Sequence, residues 1–63
     1  MKYYIFQIFG QEAREYLGGT NFVGVWEHGE INAFNKVKSY FKRNTTILLV
    51  SKEQVNESIG YLY

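Results

Sequence analysis

The chain of 63 residues contains no cysteine, no proline and a single histidine, His28. The absence of cysteine excludes disulfides, and one histidine without cysteine leaves no ligand set for a structural zinc ion. A chain of this length buries only about 60% of the surface that its unfolded form exposes. Because small domains without such cross-links are often stabilised by association, the composition favours self-association and predicts no metal or cofactor.

The chain also lacks an excess of charge and a long apolar run. Seven basic and six acidic residues give a net charge of +1. A chain with such balanced charges has no strong electrostatic attraction to nucleic acid or to anionic membranes. We find no segment typical of a transmembrane helix and no cleavage site typical of a signal peptide, so we expect a cytoplasmic location without membrane contact.

Aromatic residues, in contrast, are abundant. Phe, Tyr and Trp make up 19% of the chain, and Trp26 is the only tryptophan. Such side chains bring much apolar area per residue. They must therefore either fill the core or form a surface that binds something.

One segment has a clear helical period. In residues 30–43, Ile31, Phe34, Val37 and Phe41 recur at helical spacing, and Ala33 and Tyr40 widen the apolar stripe. This pattern predicts an amphipathic helix with one face to bury.

Four segments have the composition of β-strands. The first is Lys2–Phe9, with apolar residues on both faces, and the others are 20–27, 45–51 and 58–63. Residues 11–17 are compatible with a short helix, and residues 52–59 with a short C-terminal helix that would replace the start of the fourth strand. Gly24 inside the second strand indicates an edge, a bulge or a close backbone approach.

The order β-β-α-β-β predicts an α+β domain, a small and mostly antiparallel sheet with the helix on one face. Two-sided apolarity in the first and third strands favours these two at the centre, which gives the strand order 2-1-3-4. One helix covers only one face of such a sheet. The other face is therefore predicted to be without cover and to meet another surface.

These features favour a non-enzymatic protein that binds a protein partner, as a regulator or inhibitor encoded by a phage or mobile element. We expect a homodimer with sheets stacked face to face, or an exposed aromatic face or edge that grips a different protein. The predicted contact residues are Phe22, Trp26, Tyr61, Tyr63, Arg14, Glu15 and Tyr16.

A first alternative is a single-stranded nucleic-acid-binding protein. Aromatic side chains on an open sheet can stack bases, and a basic cluster at the helix end can hold phosphate. That cluster consists of Lys36, Lys38, Lys42 and Arg43. A solvated helix end that complements the helix dipole explains the same residues.

A second alternative is a small hydrolase or nuclease that uses His28. Glu27 and Glu30 flank this histidine, and an imidazole with two carboxylates can act as a general base or bind a metal. Adjacent strand residues point in opposite directions, however, so the spacing does not bring these groups together. We therefore predict no catalytic residue and no enzyme activity.

Overall fold

The sheet is built around strand β1, which has a hydrogen-bonded neighbour on each side. The computed structural model describes residues 1–10, 13–41 and 45–61. The elements are β1 (Lys2–Phe9), α1 (Ala13–Tyr16), β2 (Phe22–Glu27), α2 (Glu30–Tyr40), β3 (Thr46–Val50), a 3-10 turn (Lys52–Gln54) and β4 (Ile59–Tyr61).

The fold class is the predicted one, but the strand order is different. The four strands lie in the order β3-β1-β2-β4. Strand β1 pairs antiparallel with both β2 and β3, whereas β4 pairs parallel with β2. The prediction that β3 lies at the centre and β2 at an edge is therefore wrong. Apolar residues on both faces of β3 do not reflect burial there, because Leu48 is 51% and Leu49 is 41% exposed.

Helix α2 packs across one face of the sheet, as its period predicted. Ala33 and Val37 are fully buried against Val23 and Val25 of β2 and their neighbours. Ile31, predicted to lie in the buried stripe, is instead 76% exposed. It precedes Ala33 by about half a helical turn and so points away from the sheet. The helix ends at Tyr40 rather than at residue 43, and residues 42–44 lie outside the described ranges.

The segment between β1 and β2 is docked against the same face. Leu17 is buried in the core with Phe6, Ile8 and the α2 residues. Tyr16 lies on Phe41, with ring centroids 5.3 Å apart. The backbone N–H of Gly19, a residue with a φ of 101°, donates to the Arg14 carbonyl at 2.7 Å and ends this short helix.

The second face of the sheet has a partial cover that the sequence did not predict. Strands β3 and β4 lie at opposite edges, so residues 51–58 must cross the sheet to connect them. Val55 of this connection packs on Ile5, Phe22 and Val50, which are each less than 9% exposed. The prediction that this face has no cover is therefore wrong for its central part.

A hydrogen-bond network fixes the end of this connection to the start of β2. The Thr20 side chain, which is 1% exposed, donates to the Ser58 carbonyl and accepts from the backbone N–H of Phe22 at 3.1 Å. The Glu57 carboxylate accepts from the backbone N–H of Asn21 at 2.9 Å. Arg14 lies 3.6 Å from the other carboxylate oxygen of Glu57. Helix α1, the start of β2 and the end of the connection between β3 and β4 are thus held together at one end of the sheet.

Candidate functional site: an exposed aromatic patch

Three aromatic side chains from three adjacent strands meet on the sheet face opposite α2. The register places Tyr3 of β1 beside Trp26 of β2, and Tyr61 of β4 beside Gly24 of β2. Residues paired in this way project to the same face of a sheet. We call Tyr3, Trp26 and Tyr61 the aromatic patch.

The rings of the aromatic patch are in contact but are not stacked flat. The Tyr3 ring centroid lies 5.0 Å from that of Trp26 and 6.5 Å from that of Tyr61, with interplanar angles of 43° and 45°. Tilted pairs at such distances are attractive beyond their area burial. Tyr3 therefore lies between the other two rings and contacts both of them.

The two outer rings of the aromatic patch remain open to solvent. Trp26 is 56% and Tyr61 is 61% exposed, whereas Tyr3 is half-buried. Burial, followed by the charge of the Tyr61 phenol and a side-chain hydrogen bond with it, raises the pKa of Tyr3 above its ordinary value of 10.0. The patch combines apolar ring faces with phenol and indole donors.

Gly24 lies directly beneath the Tyr3 side chain of the aromatic patch. A Cβ atom at this position would lie only 1.8 Å from the Tyr3 hydroxyl oxygen. The sequence left an edge, a bulge or a close backbone approach open for this glycine. In the structure β2 is not an edge strand, and the group that comes close to the Gly24 backbone is the side chain of Tyr3. Tyr3 is not among the contact residues predicted from the sequence. A tyrosine on one strand that can cover a glycine on the next was the signal for it.

The remaining residues predicted to contact a partner lie elsewhere. Phe22 is only 3% exposed and is buried under Val55. Arg14, Glu15 and Tyr16 belong to α1, on the α2 side of the sheet. Tyr63 lies outside the described residues. The structure therefore joins Trp26 and Tyr61 in one surface and places α1 in another.

Arg14 has structural partners of its own. Its guanidinium donates to the Gly19 carbonyl at 3.1 Å and approaches Glu57. Tyr16 is 58% exposed, although its ring also contacts the Tyr40 ring at a centroid distance of 6.0 Å. This second aromatic surface is thus continuous with α2 and separate from the aromatic patch.

The basic residues proposed for nucleic acid do not adjoin the aromatic patch. Lys36 and Lys38 lie on α2, across the sheet from Trp26. The Lys38 ammonium lies 5.9 Å from the Phe34 ring centroid. Lys42 and Arg43 lie outside the described residues. The stacking surface and the described part of the basic cluster are thus on opposite sides.

His28 lies in the turn that connects β2 to α2. The Glu27 carboxylate accepts a hydrogen bond from the backbone N–H of His28 at 3.2 Å, and Glu30 is in the first turn of α2. Within the described ranges, no three His, Asp or Glu side chains are grouped closely enough to hold a metal ion. The hydrogen bond between Glu27 and His28 is thus of the kind found in an ordinary polar turn.

Comparisons with protein-family models, with curated proteins and with solved structures each give no match. In the parts of the chain that the structure describes, no helix has the length and apolar character needed to cross a membrane.

Proposed function

We propose that this chain is a non-enzymatic interaction protein that binds a protein partner through the aromatic patch. The observation that supports it is the exposure of Trp26 and Tyr61 on either side of Tyr3, on a sheet face that α2 does not cover. Tryptophan and tyrosine dominate the binding energy of protein interfaces when they lie at the centre of the contact. The protein would act as a regulator or inhibitor by occupying the surface of its partner.

The position of the charges supports a protein rather than a nucleic acid as the ligand. Nucleic-acid surfaces place basic side chains beside the stacking rings, because phosphate contacts supply most of the affinity. Here Lys36 and Lys38 lie on the far side of the sheet, and the whole chain has a net charge of only +1. Protein interfaces, in contrast, are depleted of charge at their centre and enriched in aromatic residues.

The preorganisation of the aromatic patch also favours a binding role. Tyr3 contacts both outer rings and itself lies over the backbone of Gly24. A ring that is held in place loses little side-chain entropy when a partner covers it. Trp26 and Tyr61 are therefore suited to bind without a large ordering cost.

The test is a comparison of partner capture by matched variants. Immobilised protein is exposed to a lysate of the source cells, and each captured protein is then purified and titrated while Trp26 emission is recorded. Since Trp26 is the only tryptophan and is 56% exposed, a partner that covers it shifts the emission to shorter wavelength. We expect Trp26→Ala and Tyr61→Ala to weaken binding about 10-fold or more, as for central interface aromatics.

The control is Ile31→Ala, which removes an exposed apolar side chain from the opposite side of the molecule. It should bind like the wild type. Circular dichroism of all variants establishes that they are folded. A partner that binds wild type and Trp26→Ala with equal affinity would overturn the proposal.

A further inference from the structure

The two edges of the sheet differ in a way that bears on self-association. Strand β4 forms one edge, and its described part has three residues with Gly60 at the centre. Strand β3 forms the other edge and has five residues, Thr-Ile-Leu-Leu-Val. An edge strand presents unpaired backbone N–H and C=O groups along its outer side. In the described part of the chain, no strand pairs with that side of β3.

Strand β3 also lacks the devices that prevent edge-to-edge pairing. Natural edge strands are protected by lysine, proline, a bulge or a covering segment. Thr46–Val50 contains no charge and no proline, and its register with β1 is uninterrupted. Leu48 and Leu49 point to opposite faces, yet they are 51% and 41% exposed. The edge is therefore uncovered on both faces at once.

We propose that β3 pairs antiparallel with β3 of a second copy of the chain, about a two-fold axis at Leu48. This inference concerns a surface different from the aromatic patch and does not depend on the proposed function. A strand without charges is complementary to itself, because no like charges meet when it is paired with its own copy. The second copy would bond the outer backbone groups and cover both leucines.

The register follows from symmetry and from the length of the strand. Residues directly opposite one another in an antiparallel pair project to the same face. An axis at Leu48 places Leu48 against Leu48 of the second copy, and Ile47 against Leu49 of the second copy. It also pairs Thr46 with Val50, so all five residues are used. An axis at Ile47 or Leu49 would leave part of the strand unpaired.

This arrangement avoids the obstacle to the face-to-face dimer expected from the sequence. Residues 51–58 cross the face that would have to stack, and Val55 already occupies its centre. Pairing through β3 instead produces one continuous sheet, with both α2 helices on one face. The aromatic patch of each copy remains open, because it lies on β1, β2 and β4.

Sedimentation equilibrium of the full chain over a wide concentration range tests the inference. We expect the mass to rise from 7.4 kDa toward twice that value. Because a single strand pair buries less than the ~1,200 Å² of standard interfaces, the dimer should dissociate on dilution. Leu48→Lys and Leu48→Glu should each remain monomeric, since like charges then meet at the axis. An equimolar mixture of the two variants should regain the dimer mass.

Two controls separate this contact from other surfaces. Ile31→Lys introduces the same charge at an exposed site on α2 and should dimerise like the wild type. Trp26→Ala should also dimerise, even if it no longer binds a partner. Backbone amides of β3 in the wild-type chain should exchange hydrogen more slowly as the concentration rises, which tests the contact without any substitution.

Three results would each overturn the inference. They are a wild-type mass that stays at one chain at every concentration, Leu48 variants that dimerise like the wild type, and a Lys–Glu mixture that stays monomeric. A dimer lost in Trp26→Ala but kept in Leu48→Lys would place the contact on the aromatic patch and would equally reject pairing through β3.

Discussion

The phenol of Tyr3 lies directly over Gly24, so that a Cβ atom on the glycine would be 1.8 Å from the phenol oxygen and 2.3 Å from Cζ. The two residues are on neighbouring strands, two positions out of direct register, and so belong to the same face of the sheet. The glycine thereby leaves room for the Tyr3 ring over β2, where the ring contacts both Trp26 and Tyr61. The aromatic patch depends on this contact.

Gly24→Ala is therefore expected to displace Tyr3 and to separate the rings. Overpacking of this kind costs about 1–3 kcal/mol of unfolding free energy. The emission of Trp26 should change because its neighbour moves, and partner affinity should fall with it. Urea unfolding and fluorescence measure the two effects.

A double-mutant cycle shows whether Tyr3 is the cause. If the added methyl group clashes only with the Tyr3 ring, Gly24→Ala should cost much less in a Tyr3→Ala background, because residues in contact are non-additive. Equal costs in both backgrounds would contradict the contact described here.

The sequence predicted the fold class, β1 and α2, because these have long and regular patterns. The alternation of residues in β1 correctly predicted its two faces. Tyr4, Phe6 and Ile8 lie in the core cluster under α2, and Tyr3 and Ile5 lie in the cluster on the opposite face. The position of β3 could not be predicted in the same way. A strand that is apolar on both faces has the same composition whether it is buried or, as Leu48 and Leu49 are, exposed at an edge.

The sequence predicted Trp26 and Tyr61 as contact residues but not the geometry that joins them. That geometry depends on β4 pairing with β2, and strand order over long distances leaves little trace in local pattern. Val55 was the one residue in the sequence to indicate that the connection between β3 and β4 crosses the sheet. It is the only apolar residue between Val50 and Ile59, and an isolated apolar side chain in a polar connection indicates a contact with the core.

Val55→Ala should destabilise the fold by about 1 kcal/mol, as expected for removing half-buried methyl groups. The substitution uncovers Ile5, Phe22 and Val50 on the face that α2 does not shield. Urea unfolding gives the magnitude. Asn56→Ala is the control, because Asn56 is exposed beside Val55 and surface changes usually stay within about 0.5 kcal/mol. Equal stability of the two variants would mean that Val55 does not act as a cover.

Single-stranded oligonucleotides are expected to leave Trp26 emission unchanged at about 0.15 M salt. The described members of the basic cluster, Lys36 and Lys38, lie across the sheet from the aromatic patch and cannot position phosphates beside it. Fluorescence titration at several salt concentrations is the measurement. Quenching with an affinity that falls steeply as salt rises would contradict this, because such a slope counts neutralised phosphates. Lys36→Ala and Lys38→Ala would then show whether α2 supplies the contacts.

Glu57 should make the stability of the protein depend on acidic pH. The backbone N–H of Asn21 is the largest of the effects that lower the pKa of Glu57 below its usual value of 4.5. Burial opposes it, and the charge of Arg14 and the Thr20 hydroxyl lower the pKa further. A folded-state pKa below the unfolded one means that the unfolded chain binds more protons in this range. The contribution of Glu57 is therefore complete above about pH 4.5 and is lost as pH falls through the folded-state pKa.

The comparison of Glu57→Gln with wild type tests this dependence. The amide oxygen of glutamine can still accept from Asn21, but the charge facing Arg14 is gone, so the variant should be less stable at pH 7. Its stability should then fall less on acidification, and the two melting temperatures should converge as the pH falls through the folded-state pKa of Glu57. Glu53→Gln, in the exposed 3-10 turn of the same connection, should keep the wild-type slope. Parallel pH profiles of wild type and Glu57→Gln would show that the carboxylate does not bind the β2 start in its charged form.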